Sequence, residues 1–170
     1  LVHPRGDQRG ALVAHAAGAA VAVDAEVLGE VAGLLHAGPE GEVDEIVRGR
    51  HRSRLSPALG LSAFGVNLVR IEPGAQSSAR HWHSEQDEFV YILEGEVTMI
   101  SDAGEEILGP GMTAGFPANN GDGHHLVNKS GADVLYLEVG DRPPKDDADY
   151  PDVDMLVRDG KLVHKDGTPY

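Results

Sequence analysis

The chain has 170 residues and a mass of 18.0 kDa, the length of one domain or of one domain carrying an arm. Its 41% hydrophobic and 25% charged residues suit a globular protein able to bury a core, and no run approaches the ~18 apolar residues of a membrane-spanning helix. A net charge of −14 argues against nucleic acid and membrane as partners, because such a surface repels phosphates and anionic lipid.

The charge is uneven. Residues 1–70 carry 7 basic and 8 acidic side chains, whereas residues 71–170 carry 7 and 20. There is no cysteine, so disulfides, thiolate metal sites and cysteine nucleophiles are excluded. Any metal must be held by histidine and carboxylate.

Taken from the N-terminus, Arg5 and Arg9 precede an Ala/Gly-rich apolar stretch over residues 11–23. It lacks the Leu/Ile/Phe centre of a signal peptide, and a cytoplasmic protein is expected. Over residues 24–36 the apolar side chains Val27, Leu28, Val31, Leu34 and Leu35 recur at helical spacing, with Asp24 as a candidate N-cap and Gly38-Pro39 as a stop. Gly29 and Gly33 weaken this helix by roughly 1 kcal/mol each, so it needs packing against something else. An acidic linker over 39–45 completes an N-terminal arm, residues 1–45. Arg48, Arg50, Arg52 and Arg54 follow, with His51 among them. This short basic cluster reads as a solvated strand edge or a salt-bridging strip rather than an anion site.

From about residue 62 the texture changes. Short runs rich in Val, Ile, Leu, Tyr and Phe occupy residues 63–71, 87–93, 96–101, 105–108, 124–128 and 133–139. Gly, Pro and Asp turns separate them at roughly ten-residue spacing, which predicts an all-β sandwich or barrel. The barrel is expected over residues 46–145. The tail, 146–170, holds the apolar clusters Met155-Leu156-Val157 and Leu162-Val163 and is expected to dock on the barrel, as a hairpin turning at Asp159-Gly160.

Nine histidines are present, four of them in two tight clusters of the β region. His81 and His83, two apart on an extended segment, project to one face. Glu88 shares a strand face with Val90 and Ile92, while Phe89, Tyr91 and Leu93 take the other, expected to be packed. His124 and His125 open a further strand, and strand alternation lets only one of them point inward. Imidazoles and a carboxylate converging in a β-lined pocket are costly if left bare, and a divalent cation removes that cost. Nitrogen and oxygen donors without thiolate suit Fe, Mn, Ni, Cu or Zn.

These residues resemble the cupin superfamily. Its first motif is matched by Gly74, six residues, His81-Trp82-His83, four residues, Glu88, six residues and Gly95. Its second is matched by Gly111, five residues, Pro117, then Gly121, two residues, His124, three residues and Asn128. The loop from Pro117 to His124 is two residues longer than usual, and the spacing to Gly121 and Asn128 favours His124 over His125. More closely, residues 48–170 resemble a bacterial group of small single-domain cupins of the conserved-barrel type. The resemblance implies a double-stranded β-helix barrel, one divalent transition metal ion on His81, His83, Glu88 and His124, and a homodimer.

It does not imply a reaction. Trp82 and His125 read as packing or surface residues, Arg80 and Gln86 as a structural salt bridge or exposed polar groups, and Phe116, Met99 and Leu126 as core. His15, His36 and His164 lack ligand spacing. The favoured reading is a metal-dependent enzyme on a small organic molecule, with dioxygenase, isomerase and lyase types all open. The alternative is a non-catalytic module that binds or senses a small molecule.

Overall fold

Alternation with period two governs burial along the chain. The computed structural model describes residues 45–170. The helix expected over residues 24–36, the arm to which it belongs, His15 and His36 all lie outside the described residues.

The described chain runs β1 (Arg50–Arg54), α1 (Leu55–Ala58), β2 (Phe64–Ile71), β3 (Trp82–His83), β4 (Glu88–Glu94), β5 (Val97–Ser101) and β6 (Gly104–Leu108). It continues through β7 (Thr113–Phe116), β8 (His125–Val127), β9 (Val134–Asp141), β10 (Ala148–Tyr150), β11 (Met155–Arg158) and β12 (Lys161–Val163). Among the described residues no helix is long and apolar enough to cross a membrane.

One wall is a five-stranded antiparallel sheet in the order β1-β2-β9-β4-β7. The other is built from two smaller sheets, β6-β5-β8 and β12-β11-β10-β3. Antiparallel bridges Gln76↔Val127 and His81↔His124 join β8 to the segment entering β3, so the second wall is continuous through the site. Every second residue of the central strands faces the space between the walls. Val69 and Ile71, Val90 and Ile92, and Val134 and Tyr136 are buried there against Val97, Leu108 and Leu126. Each such side chain contributes about 1.5–3 kcal/mol by leaving water. The result is an all-β double-stranded barrel.

Two turns need special backbone. Gly95 has φ +78°, and a Cβ there would sit 2.6 Å from the Asp133 carbonyl oxygen. Only glycine fits this turn between β4 and β5. Asp159 and Gly160, at φ 50° and 72°, close the hairpin between β11 and β12, as the sequence predicts for the tail. That hairpin does more than dock, because β10 pairs with β3 and extends the second wall.

The outer face of the five-stranded sheet departs from expectation. Phe89 and Tyr91 are not packed: they are 42% and 38% exposed, beside Phe64 at 39%. In a two-walled barrel each sheet has one face inside, and β4 already gives Val90 and Ile92 to it. Among the described residues no further layer covers the other face.

Candidate metal centre and ligand cavity

Strand register sorts the inner face of the large sheet into rows. Across one row lie Gly65, Gly140, Glu88 and Phe116; across the next lie Arg54, Asn67, Glu138, Val90 and Ala114; across the third lie Arg52, Val69, Tyr136 and Ile92. The apolar core fills the far rows. At the near end Gly140 makes room for the Gln86 side chain, and a cavity of about 720 Å³ opens between the walls.

From the second wall, His81 and His83 enter on one strand face and His124 on its bridged neighbour. The donor atoms of His81, Glu88 and His124 all lie within 4.8 Å of one another. His124 Nε2–H donates to Glu88 Oε2 at 2.9 Å. His83 stands slightly apart, its Nε2 3.8 Å from the same oxygen. His125 turns to the opposite face, where its Nδ1 lies 3.0 Å from the Ser78 carbonyl. Strand phase thus brings His124, and not His125, to Glu88.

Supporting contacts orient each imidazole. His81 Nδ1–H donates to the Ala79 carbonyl at 2.9 Å, leaving Nε2 as the free donor. His83 Nδ1–H donates to Asp146 Oδ2 at 2.6 Å, and Asp146 Oδ1 accepts from the Glu85 and Gln86 amides. Phe116 stacks on His124 with ring centroids 3.6 Å apart, and Tyr150 stacks on His81 at 5.2 Å. Such partners fix tautomer and ring direction in metal sites.

Electrostatics follow from burial. Desolvation, reinforced by His124 and His83, pushes His81 down to about 4, so its imidazole is a neutral donor near pH 7. Burial alone would raise Glu88, but the His124 hydrogen bond and the neighbouring His83 and His81 outweigh it and hold the carboxyl below its usual value. Imidazole nitrogens of His81 and His124 with a carboxylate oxygen of Glu88, free of thiolate, are a donor set that suits a divalent transition metal. The residues present fit such an ion.

Sequence reasoning missed the contributions of the tail. Asp146 and Tyr150 lie some sixty residues beyond the His-x-His pair and carry no spacing signal. Arg80 is a structural ion pair as expected, its guanidinium bonded to Asp152 at 2.8 and 2.9 Å and also to Asp102. Gln86 donates to the Asp141 carbonyl at the cavity rim. Leu126 is core, Met99 packs against it, and Phe116 serves both core and site. His164 pairs with Asp154 and stacks on Tyr170, away from the cluster.

The basic cluster needs one correction. β1 is an edge strand with the expected salt bridges, His51 to Glu72 at 2.8 Å and Arg52 to Glu138 at 3.8 Å, but its arginines are not all turned to solvent. Arg50 pairs with Ile71 and Arg52 with Val69, both core residues, and this register turns Arg50, Arg52 and Arg54 toward the cavity. His51 and Ser53 take the other phase.

A family model described as Cupin domain matches residues 67–140. The chain is similar to the crystal structure of a sugar phosphate isomerase of the cupin superfamily from Silicibacter pomeroyi, at 45% identity over 79% of this chain and 88% of that one, with a TM-score of 0.73. It is also similar to a proposed sugar phosphate isomerase from Acidithiobacillus ferrooxidans, at 30% identity over 71% and 80% of the two chains, with a TM-score of 0.63. A polyketide cyclase from Streptomyces resistomycificus matches at 27% identity over 57% and 69%, with a TM-score of 0.50. No curated protein matches.

Proposed function

The chain belongs to the cupin superfamily, and from that premise we propose that it is a metal-dependent isomerase acting on a small phosphorylated sugar. The observation that carries this reading is one cavity holding the His/Glu cluster together with a second carboxylate outside that cluster, Glu138. The 45% identity to the sugar phosphate isomerase from Silicibacter pomeroyi supports the substrate class.

His81, His83, Glu88 and His124 are the proposed ligands of one divalent transition metal. When bound there, the ion supplies Lewis acidity, polarising a carbonyl and offsetting charge that develops on its oxygen. The remaining chemistry belongs to the chain. Glu138 sits one row from Glu88 on the sheet floor and is oriented by Asn67, whose Nδ2 donates to Oε1 at 2.8 Å. It takes the proton from the hydroxyl-bearing carbon beside the carbonyl and returns it to the former carbonyl carbon, while the hydroxyl proton passes from one oxygen to the other, which interconverts aldose and ketose without net oxidation. Phe116 and Tyr150, stacked on two of the histidines, keep water from the reacting end.

A phosphorylated sugar does not cross membranes unaided, in keeping with a cytoplasmic protein. The exposed Phe64, Phe89 and Tyr91 supply an apolar contact for the homodimer, with Tyr91→Glu expected to give monomers by sedimentation.

The test is NMR in deuterated water on a panel of sugar phosphates. The metal-loaded protein is expected to interconvert an aldose and a ketose and to wash deuterium into the exchanging carbon. Glu138→Gln should keep its metal and lose roughly 10²–10⁴ of the rate. His81→Ala should lose metal and turnover together. Binding without turnover in the metal-loaded protein would instead make it a non-catalytic module, and unchanged turnover in Glu138→Gln would remove that residue as the base.

A further inference from the structure

On a chain of net charge −14, the cavity wall gathers cations. Arg50, Arg52, Arg54 and Arg142 line it, against the two carboxylates Glu88 and Glu138. Each carboxylate already has a partner, Glu88 in the histidines and Glu138 in Asn67. Arg52 NH1 approaches Glu138 Oε1 only to 3.8 Å, beyond a hydrogen bond. Among the described residues its buried Nε has no hydrogen-bond partner. In the same row, across Val69, the buried hydroxyl of Tyr136 likewise has none among them.

Arg50 is still more enclosed. It donates to the Ser77 carbonyl, a neutral acceptor. Burial and the neighbouring charge of Arg52 both depress its proton affinity, with Glu138, Tyr136 and Tyr150 only partly offsetting them. A largely desolvated Arg50 guanidinium beside the charge of a part-buried Arg52, whose Nε has no acceptor among the described residues, is costly to hold. A dianionic oxyanion supplies what the wall lacks: negative charge and several acceptor oxygens matched to the guanidinium fork.

We propose that Arg50 and Arg52 form an anion subsite that holds the phosphate group of the ligand, in the same cavity as the His/Glu cluster. The assignment of that phosphate to a substrate rests on the isomerase reading; the subsite itself rests on the arginine wall. It is a specificity device. The cluster meets the oxygen-rich end of the ligand while the arginines select molecules carrying a phosphate at the other end.

The experiment titrates inorganic phosphate into the full chain by calorimetry, with metal content assayed in parallel. Arg52→Gln is compared with Arg70→Gln, whose side chain is on the outer face and bonded to Asp133 at 2.8 Å. Saturable phosphate binding is expected, weakened about tenfold or more by Arg52→Gln at unchanged metal content and unmoved by Arg70→Gln. Arg52→Lys should recover part of the affinity, keeping charge without the fork. Equal phosphate affinity in wild type and Arg52→Gln, or no binding to either at tens of millimolar phosphate, overturns the subsite.

Turnover separates the two proposals. A rise in KM for the phosphorylated sugar with kcat little changed supports the subsite. Equal turnover of phosphorylated and unphosphorylated sugars, insensitive to Arg52→Gln, defeats the subsite and leaves an isomerase. Phosphate binding lost in Arg52→Gln, with no isomerisation by the wild type, keeps the subsite and defeats the isomerase.

Discussion

The two walls of the cavity hold their polar groups in opposite ways. On the histidine wall most donors and acceptors have partners within the protein: Ala79 for His81, Asp146 for His83, Glu88 for His124. On the arginine wall Arg52 Nε and the Tyr136 hydroxyl have none among the described residues, and Arg50 leans on a single carbonyl. The first wall is organised by contacts within the protein. The second carries an unmet demand for acceptors, and the difference suggests which wall a substitution will destabilise and which it will relieve.

The largest expected effect falls on the histidine wall. His124→Ala should lose metal by more than the roughly 100-fold that removal of a supporting residue costs, read by chelator competition. Acid should act on the same wall. In chelated protein His81 titrates near 4 when folded and near 6.5 when unfolded. The unfolded chain therefore binds the extra proton first, and stability is complete above pH 6.5 and falls as pH drops toward 4. The loss is on the order of 3 kcal/mol from this group. Urea melts at pH 7 and pH 4 should show a smaller difference in His81→Phe.

Next comes Asp146→Asn, which keeps the shape but weakens the hold on His83. Metal affinity should fall about 10–100-fold with little change in melting temperature. The smallest effect is the most telling for the contrast. Arg52→Leu should leave unfolding free energy within about 1 kcal/mol of wild type, or raise it, because it removes a buried donor without a partner. A loss above about 2 kcal/mol on denaturant unfolding would mean that Arg52 supports the fold and that the walls are alike.

This contrast also marks what could be read before the structure. The strands around Val69, Val90, Val97 and Val134 were visible because alternation and turn residues are local. The ligand cluster was visible because His81, His83, Glu88 and His124 keep a spacing tied to ordered glycines and a proline. Strands β3, β7 and β10 are two to four residues long and too short for a periodic signal. The arginine strand was misread for a different reason. A run of alternating arginines looks like a solvated edge, and only pairing with Val69 and Ile71, themselves ordinary core residues, turns it inward. The outer face of β4 was misread because one strand's pattern does not reveal whether a sheet has one neighbour or two.

Strand β10, laid beside β3, has a consequence for how the chain can be cut. Its Tyr150 backs His81, and Asp146 just ahead of it anchors His83. A version trimmed after Lys145 would retain every signature by which such barrels are recognised while two of its imidazoles lost their bracing. Tags, fusions and proteolytic nicks at this end are therefore interventions in the His/Glu pocket, however remote they look along the polypeptide.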